Sequence, residues 1–124
     1  MKKLNQLLAL ILILVCTQTF AQNQPNDILG QWTNRDSSRI IEFVKSGSGF
    51  DAIIRKSEDP SQTGKNQISS LKYSSAGIYS KGTLHIYKKG KETSVTVKMI
   101  DDKKIEIIAS IGFGSKSETW TRLK

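Results

Sequence analysis

The sequence predicts an all-β protein, a small antiparallel up-and-down β-barrel of about eight strands. Short segments alternate apolar and polar residues with a period of two, which is the pattern of a half-buried strand. No segment keeps apolar residues at the i, i+3, i+4 and i+7 positions of an amphipathic helix. Turn residues recur about every ten residues, and successive short hairpins favour up-and-down order.

Residues 1–21 have the layout of a secretory signal peptide and are expected to lie outside the fold. Two lysines are followed by an apolar run over 7–15, and Ala21 ends a small-residue cleavage site. The run is about half as long as a transmembrane helix requires, so no transmembrane segment is predicted. We therefore expect a periplasmic or secreted protein after cleavage near Ala21. Val15 disfavours a lipoprotein signal at Cys16, because such signals place a small residue before the cysteine.

Residues 22–27 are polar and predict a flexible leader, and residues 28–124 predict one barrel domain. The chain carries 19 basic and 11 acidic residues, and loss of the two signal lysines lowers its formal net charge from +8 to +6. Small basic clusters at 88–91 and 103–104 suit solvated hairpin turns. Blocks of five or six like charges do not occur, so we expect no nucleic-acid partner.

The first half of the domain is expected to contain strands at 28–33, 39–45 and 50–56. Ile41 and Phe43 share the apolar face of the second of these strands, and Phe50 and Ile54 share that of the third. Turn residues cluster between the first two strands, and Ser-Gly-Ser-Gly at 46–49 has the length and composition of a hairpin turn. The polar stretch that follows, Ser57–Gln67, has no hydrophobic residue and predicts a loop or a loop with one helical turn.

The second half is expected to contain a weak strand at 68–73 and further strands at 83–87, 93–100, 104–111 and 116–123. Ile78 and Tyr79 form a segment too short to assign, and Ser80–Gly82 is expected to separate it from the next strand. The strand at 93–100 is rich in β-branched residues, which favour strands. Gly90 and the lysines around it predict the hairpin turn before that strand.

Apolar side chains on the inward faces either fill the barrel or line a ligand cavity. The candidates for ligand lining are Phe43, Phe50, Ile54, Tyr79, Val97 and Ile107. A core role is favoured for most of the aromatic residues, because a domain of this size can leave little apolar surface exposed. A partial cavity near one mouth agrees with both interpretations.

Two terminal motifs resemble those of lipocalin-like barrels. Gly30-Gln31-Trp32 resembles the Gly-x-Trp motif near the N-terminus of proteins of that superfamily. Arg122 lies where the last strand of such barrels carries a basic residue. The resemblance implies that the guanidinium packs on the Trp32 ring, a contact that contributes about 0.5–2 kcal/mol. It also implies that Gly30, Trp32, Trp120 and Arg122 close one end of the barrel and that a ligand enters at the opposite mouth.

The chain further resembles a family of small exported bacterial proteins that is classed as a domain of unknown function and is lipocalin-like in fold. The shared motifs lie at 27–32, 58–60, 82–84 and 111–122. The chain departs from the family in its shortened loop at 61–70 and in the lysine-rich turn at 88–91, so its mouth is expected to differ. The resemblance implies a fold and a compartment and supplies no reaction.

Catalytic and metal-binding chemistry find little support in the sequence. His85 is the only histidine, and a serine nucleophile needs a positioned base together with an orienting acid. Cleavage near Ala21 would remove the only cysteine, and no pair of histidines has metal-ligand spacing. We therefore expect no catalytic residue, no metal, no cofactor and no enzymatic activity.

Three functions stay open at this point. The first is an exported, non-enzymatic barrel that binds a small apolar or amphipathic ligand. The second is a cell-envelope module for protein–protein interaction with a filled barrel, which would use the loop at 57–67 or the exposed lysines. The third is an enzyme, for which a cluster of carboxylates around His85 would be the distinguishing feature. No particular protein partner is predicted.

Overall fold

A computed structural model describes residues 24–123, which form a closed barrel of eight antiparallel strands. Each strand pairs with the next one along the chain, and the last strand returns to the first, so the predicted up-and-down barrel is confirmed. The predicted signal peptide at 1–21 and residues 22 and 23 of the predicted leader lie outside the described residues. Between residues 24 and 123 there is no helix whose length and apolar character would let it cross a membrane.

The strands have the following bounds: β1 Gly30–Thr33, β2 Ile40–Ser46, β3 Gly49–Lys56, β4 Asn66–Ser75, β5 Ile78–Ile86, β6 Lys91–Met99, β7 Lys104–Ile111 and β8 Gly114–Arg122. Two short 3-10 helices accompany them. The N-terminal helix is Pro25–Ile28, and the loop helix between β3 and β4 is Pro60–Gln62.

Strand β5 continues through the segment Ser80–Gly82, which the sequence predicted to be a turn. Lys81 has a φ of 62°, and the pairing with β6 shifts register between Tyr79 and Gly82. Such a bulge adds a residue to one strand and bends it without ending it. Ser80 and Lys81 beside Gly82 resemble a turn in sequence. In the structure, pairing with β4 and β6 on both sides of the bulge keeps β5 continuous.

The N-terminal 3-10 helix occupies residues for which a flexible leader was expected. The Asp27 carboxylate accepts a hydrogen bond from the Gln24 backbone N–H at 2.9 Å, and Ile28 is fully buried. The Tyr79 hydroxyl, which lies far along the chain, donates to the Pro25 carbonyl at 2.6 Å. Ile28 therefore ends this helix instead of beginning β1, and residues 24–27 belong to the fold.

The two ends of the barrel differ because antiparallel strands alternate in direction. The connections at 34–39, 57–65, 87–90 and 112–113 meet at one end, which we call the mouth. The opposite end, which we call the closed end, carries the remaining turns and the N-terminal helix. The hydrophobic core fills the barrel between them and contains Trp32, Ile41, Phe43, Phe50, Ile54, Ile68, Leu71, Tyr79, Val97 and Ile105 among its buried residues.

The seam between β1 and β8 is short. These strands pair only at Trp32 with Arg122 and at Thr33 with Thr121, because β1 ends at Thr33. On its other side β8 pairs with β7 from Gly114 to Thr121. Among the described residues, the part of β8 nearest the mouth therefore has no β1 partner, and the barrel wall lacks backbone pairing there.

Candidate ligand-binding site

A cavity of about 420 Å³ opens at the mouth. Its apolar wall comes from β5, β7 and β8 and consists of Leu84, Ile86, Ile107, Ala109, Ile111 and Trp120. Its polar rim consists of Asn34, Ser38, Arg39, Glu58, Gln67, Lys89, Lys116, Ser117 and Glu118. Its volume lies within the range of about 300–1,000 Å³ that is usual for small-molecule sites.

Of the six residues predicted to line a ligand site, Ile107 lines this cavity. The other five, Phe43, Phe50, Ile54, Tyr79 and Val97, belong to the core and have at most 2% of their surface exposed. The Tyr79 ring contacts Phe50 edge-to-face with ring centroids 5.6 Å apart. The Tyr79 hydroxyl also contacts the N-terminal helix at Pro25. All five side chains belong to one buried cluster, so the open volume lies at the mouth.

Trp120 was predicted to help close the barrel, and its side chain lines the cavity. Only 5% of its surface is exposed, and its ring Nε1 donates to Glu118 Oε1 at 2.7 Å. Alternation along β8 explains the placement, because Glu118, Trp120 and Arg122 follow one another at intervals of two. Trp120 therefore lies above Arg122, on the mouth side, and the same alternation in the sequence is the signal that could have indicated this.

The closed end is formed by the other three predicted closure residues. The Arg122 guanidinium lies over the Trp32 ring, 4.2 Å from its centroid. Gly30 has a φ of +116°, and a Cβ at this position would lie 3.2 Å from Arg122 Nη1, so glycine suits both the backbone and the space. The Trp32 ring Nε1 donates to the Ile28 carbonyl at 2.9 Å, which satisfies its buried N–H.

Arg122 also joins three separate segments at the closed end. Its Nη1 donates to the Leu29 carbonyl at 2.8 Å and its Nη2 to the Asp27 carbonyl at 2.6 Å. Its Nε donates to the Asp102 carbonyl at 2.7 Å in the turn between β6 and β7. The guanidinium of β8 therefore fixes the N-terminal helix and the β6–β7 turn to the last strand.

At the mouth, the half-buried Arg39 side chain is held by neutral oxygens. Its Nη1 donates to Gln67 Oε1 at 2.6 Å, and its Nη2 donates to Gln62 Oε1 at 3.0 Å and to Ser57 Oγ at 3.2 Å. Gln67 is itself fixed, because its Nε2 donates to the His85 carbonyl at 2.7 Å. The network brings the connection at 34–39, the loop at 57–65, β4 and β5 together around one cation.

The loop helix Pro60–Gln62 positions Gln62 for this network. Asp59 caps the helix and accepts hydrogen bonds from the Ser61 hydroxyl at 2.7 Å and from the Ser61 backbone N–H at 3.0 Å. These bonds, the hydroxyl first, lower the pKa of the Asp59 carboxyl below its usual value. Gln62 is only 8% exposed, so this polar loop contributes one buried side chain to the mouth.

His85 forms part of a hydrogen-bonded chain on the barrel surface. Its Nε2 lies 2.8 Å from Ser69 Oγ, and its Nδ1 lies 3.0 Å from Glu92 Oε2. Its two strand neighbours line the cavity, so His85 points to the outer face of the barrel, and none of the three chain members lines the cavity. In the part of the chain that the structure describes, one carboxylate, rather than a cluster, contacts the histidine.

The hydrogen-bonded residues Ser69, His85 and Glu92 are of the types that serve as a serine nucleophile, a base and an orienting acid. Such groups become effective where water is excluded and donors stabilise the oxyanion. Here the Glu92 side chain is 66% exposed. The contacts that the structure gives to Ser69, His85 and Glu92 link β4, β5 and β6 across the outer face of the barrel.

The comparisons with known proteins bear on the fold. No family model and no curated protein matches the chain. Among solved structures, the chain is similar to protein HP1028 from the human pathogen Helicobacter pylori, which is described as belonging to the lipocalin family. The similarity has a TM-score of 0.64 at 18% sequence identity and covers 78% of this chain and 83% of that one. The fold of this chain is therefore lipocalin-like.

Proposed function

We propose that this protein binds a small apolar or amphipathic ligand in the cavity at the mouth. The observation that carries the proposal is the cavity itself, which combines an apolar wall, a polar rim and an opening beside the short β1–β8 seam. A largely apolar, concave site with a few polar groups is the usual form of a small-molecule site. The lipocalin-like fold supports the same conclusion.

The alternative of an interaction module assumed a filled barrel. The space above Ile107 and Trp120 favours ligand binding over that alternative. We propose that binding is non-enzymatic, and the exposure of Glu92 beside His85 supports this part. Covalent labelling of Ser69 by a fluorophosphonate probe would contradict it.

The location and the closer family affinity are also proposals. The signal-like layout of residues 1–21 supports export to the periplasm or the exterior, with cleavage near Ala21. The motifs at both ends of the barrel support membership of the family of small exported lipocalin-like proteins described above. N-terminal sequencing of protein recovered from its own cells would test the cleavage site directly.

The two tryptophans allow a direct test of the binding site. Trp120 lines the cavity, whereas Trp32 lies at the closed end beneath Arg122. We expect a decyl-chain amphiphile (decanoate, 1-decanol or decyltrimethylammonium) to change the intrinsic fluorescence saturably, with one ligand per chain. The change should be lost in Trp120→Phe and kept in Trp32→Phe. If none of the three amphiphiles binds, or if the signal arises from Trp32, the cavity is not the ligand site.

A further inference from the structure

Arg39 lies at the rim of the cavity, and no carboxylate of the described residues pairs with it. Its guanidinium has five N–H donors, and three of them are used by Gln67, Gln62 and Ser57. Within residues 24–123, no carboxylate forms an ion pair with Arg39, and its Nε–H and one Nη1–H have no hydrogen-bond acceptor. The side chain is thus held in place with its charge uncompensated.

The physical consequence follows from the partial burial of this charge. A cation removed from water is stabilised when an anion pairs with it, and hydrogen bonds between charged groups are stronger than neutral ones. The two glutamines supply orientation but no negative charge. Because Gln62 and Gln67 are themselves fixed, the guanidinium is pre-organised, and little ordering is left for a ligand to impose on it.

The rim and the wall of the cavity offer different chemistry to the two ends of one ligand. Lys89 and Lys116 add positive charge to the rim, and Glu58 and Glu118 offset it. Glu118 is engaged by the Trp120 ring N–H, and neither glutamate pairs with Arg39 in the part of the chain that the structure describes. The rim therefore keeps one oriented cation next to an apolar wall.

We propose that the cavity selects anionic amphiphiles, with a carboxylate or phosphate headgroup on the Arg39 guanidinium. The apolar tail lies against Leu84, Ile107 and Trp120. This inference rests on the proposed function, because it names the class of ligand that the same cavity takes. It adds that Arg39 determines the preference for an anion.

Calorimetric titration of the folded protein with four decyl compounds tests the inference. The compounds are decanoate, decyl phosphate, 1-decanol and decyltrimethylammonium, which share a tail and differ in headgroup. A charge-assisted hydrogen bond contributes about 1.5–3 kcal/mol, so we expect at least one anion to bind about tenfold or more tightly than 1-decanol, and the cation to bind most weakly. The comparison of decanoate with decyl phosphate identifies the preferred headgroup.

Three arginine variants assign the preference to a residue. Arg39→Gln should bring the affinities for the anions to within about threefold of that for 1-decanol, because the glutamine introduced at position 39 carries no charge. Arg55→Gln is the matched control, since Arg55 pairs with Glu42 at 2.9 Å and is not among the cavity-lining residues, and it should leave all four affinities unchanged. Arg39→Lys keeps the charge and should keep part of the preference, which covers the case in which Arg39→Gln fails to fold.

The outcomes separate this inference from the proposed function. Equal affinity of the wild-type protein for 1-decanol and the anions would overturn the inference and leave ligand binding intact. An anion preference that survives in folded Arg39→Gln would also overturn it, because another group would then bind the headgroup. Failure of all four compounds to bind would refute the proposed function itself.

Discussion

Replacement of Arg122 by alanine should be among the most destabilising single changes at the closed end. The guanidinium covers the Trp32 ring at 4.2 Å and donates hydrogen bonds to the carbonyls of Asp27, Leu29 and Asp102. Alanine removes all four contacts together. It also leaves the Asp27 and Leu29 carbonyls, which the arginine partly covers, without their donor.

The magnitude follows from these contacts. A cation–π contact contributes about 0.5–2 kcal/mol. A hydrogen bond from a charged group contributes about 1.5–3 kcal/mol, but contacts of one side chain do not add fully, and exposure of the Asp102 contact weakens it. We therefore expect a loss of about 3–4 kcal/mol in the free energy of unfolding. Against a typical total of about 5–15 kcal/mol, this is a large share of the stability.

Urea unfolding followed by circular dichroism measures the loss. An unchanged dependence of the unfolding free energy on urea concentration would show that the surface exposed on unfolding is the same in the variant. Arg55→Ala is the control, because its exposed pair with Glu42 should contribute about 1 kcal/mol or less. A double-mutant cycle of Arg122→Ala with Trp32→Leu isolates the ring contact, because leucine has no aromatic face for the guanidinium. A loss below about 1 kcal/mol for Arg122→Ala would refute the role of this residue in closing the barrel.

Two further predictions concern the barrel wall and the alkaline limit of stability. Gly49→Ala should destabilise the fold by about 1–3 kcal/mol in the same assay, because the new Cβ would lie 2.6 Å from the Leu71 carbonyl oxygen. Gly114→Ala is the control and should be near neutral, because no atom lies within 4 Å of the position of its Cβ. Equal losses of stability in the two variants would contradict this explanation. Burial, with the charge of Asp27, raises the pKa of Tyr79 from 10.0 to about 12. The folded state therefore favours the neutral phenol, a contribution that is complete below pH 10 and is lost as the pH rises from 10 towards 12. The free energy of unfolding, measured across this pH range, should decline, and Tyr79→Phe should make the decline smaller. An unchanged decline in that variant would show that another group causes it.

The sequence was sufficient to predict the architecture of the barrel. Period-two alternation in short segments, with turns between them, left an antiparallel sheet as the simplest arrangement, and its end motifs indicated that β1 and β8 meet. The resemblance of those motifs to lipocalin-like barrels also implied that the Arg122 guanidinium packs on the Trp32 ring, and the structure contains this contact. Local pattern carries this information because each strand shows its buried face through its own side chains.

The sequence by itself did not decide which inward-facing residues are core and which line the cavity. Phe43 and Ile107 have equivalent patterns, but the N-terminal helix covers the closed end, whereas the short β1–β8 seam opens the mouth. The Arg39 network was equally hidden, because its partners lie 18 to 28 residues away along the chain. Alternation thus determined which face of each strand points inward, and only the packing of distant segments decided where the barrel is filled and where it is open.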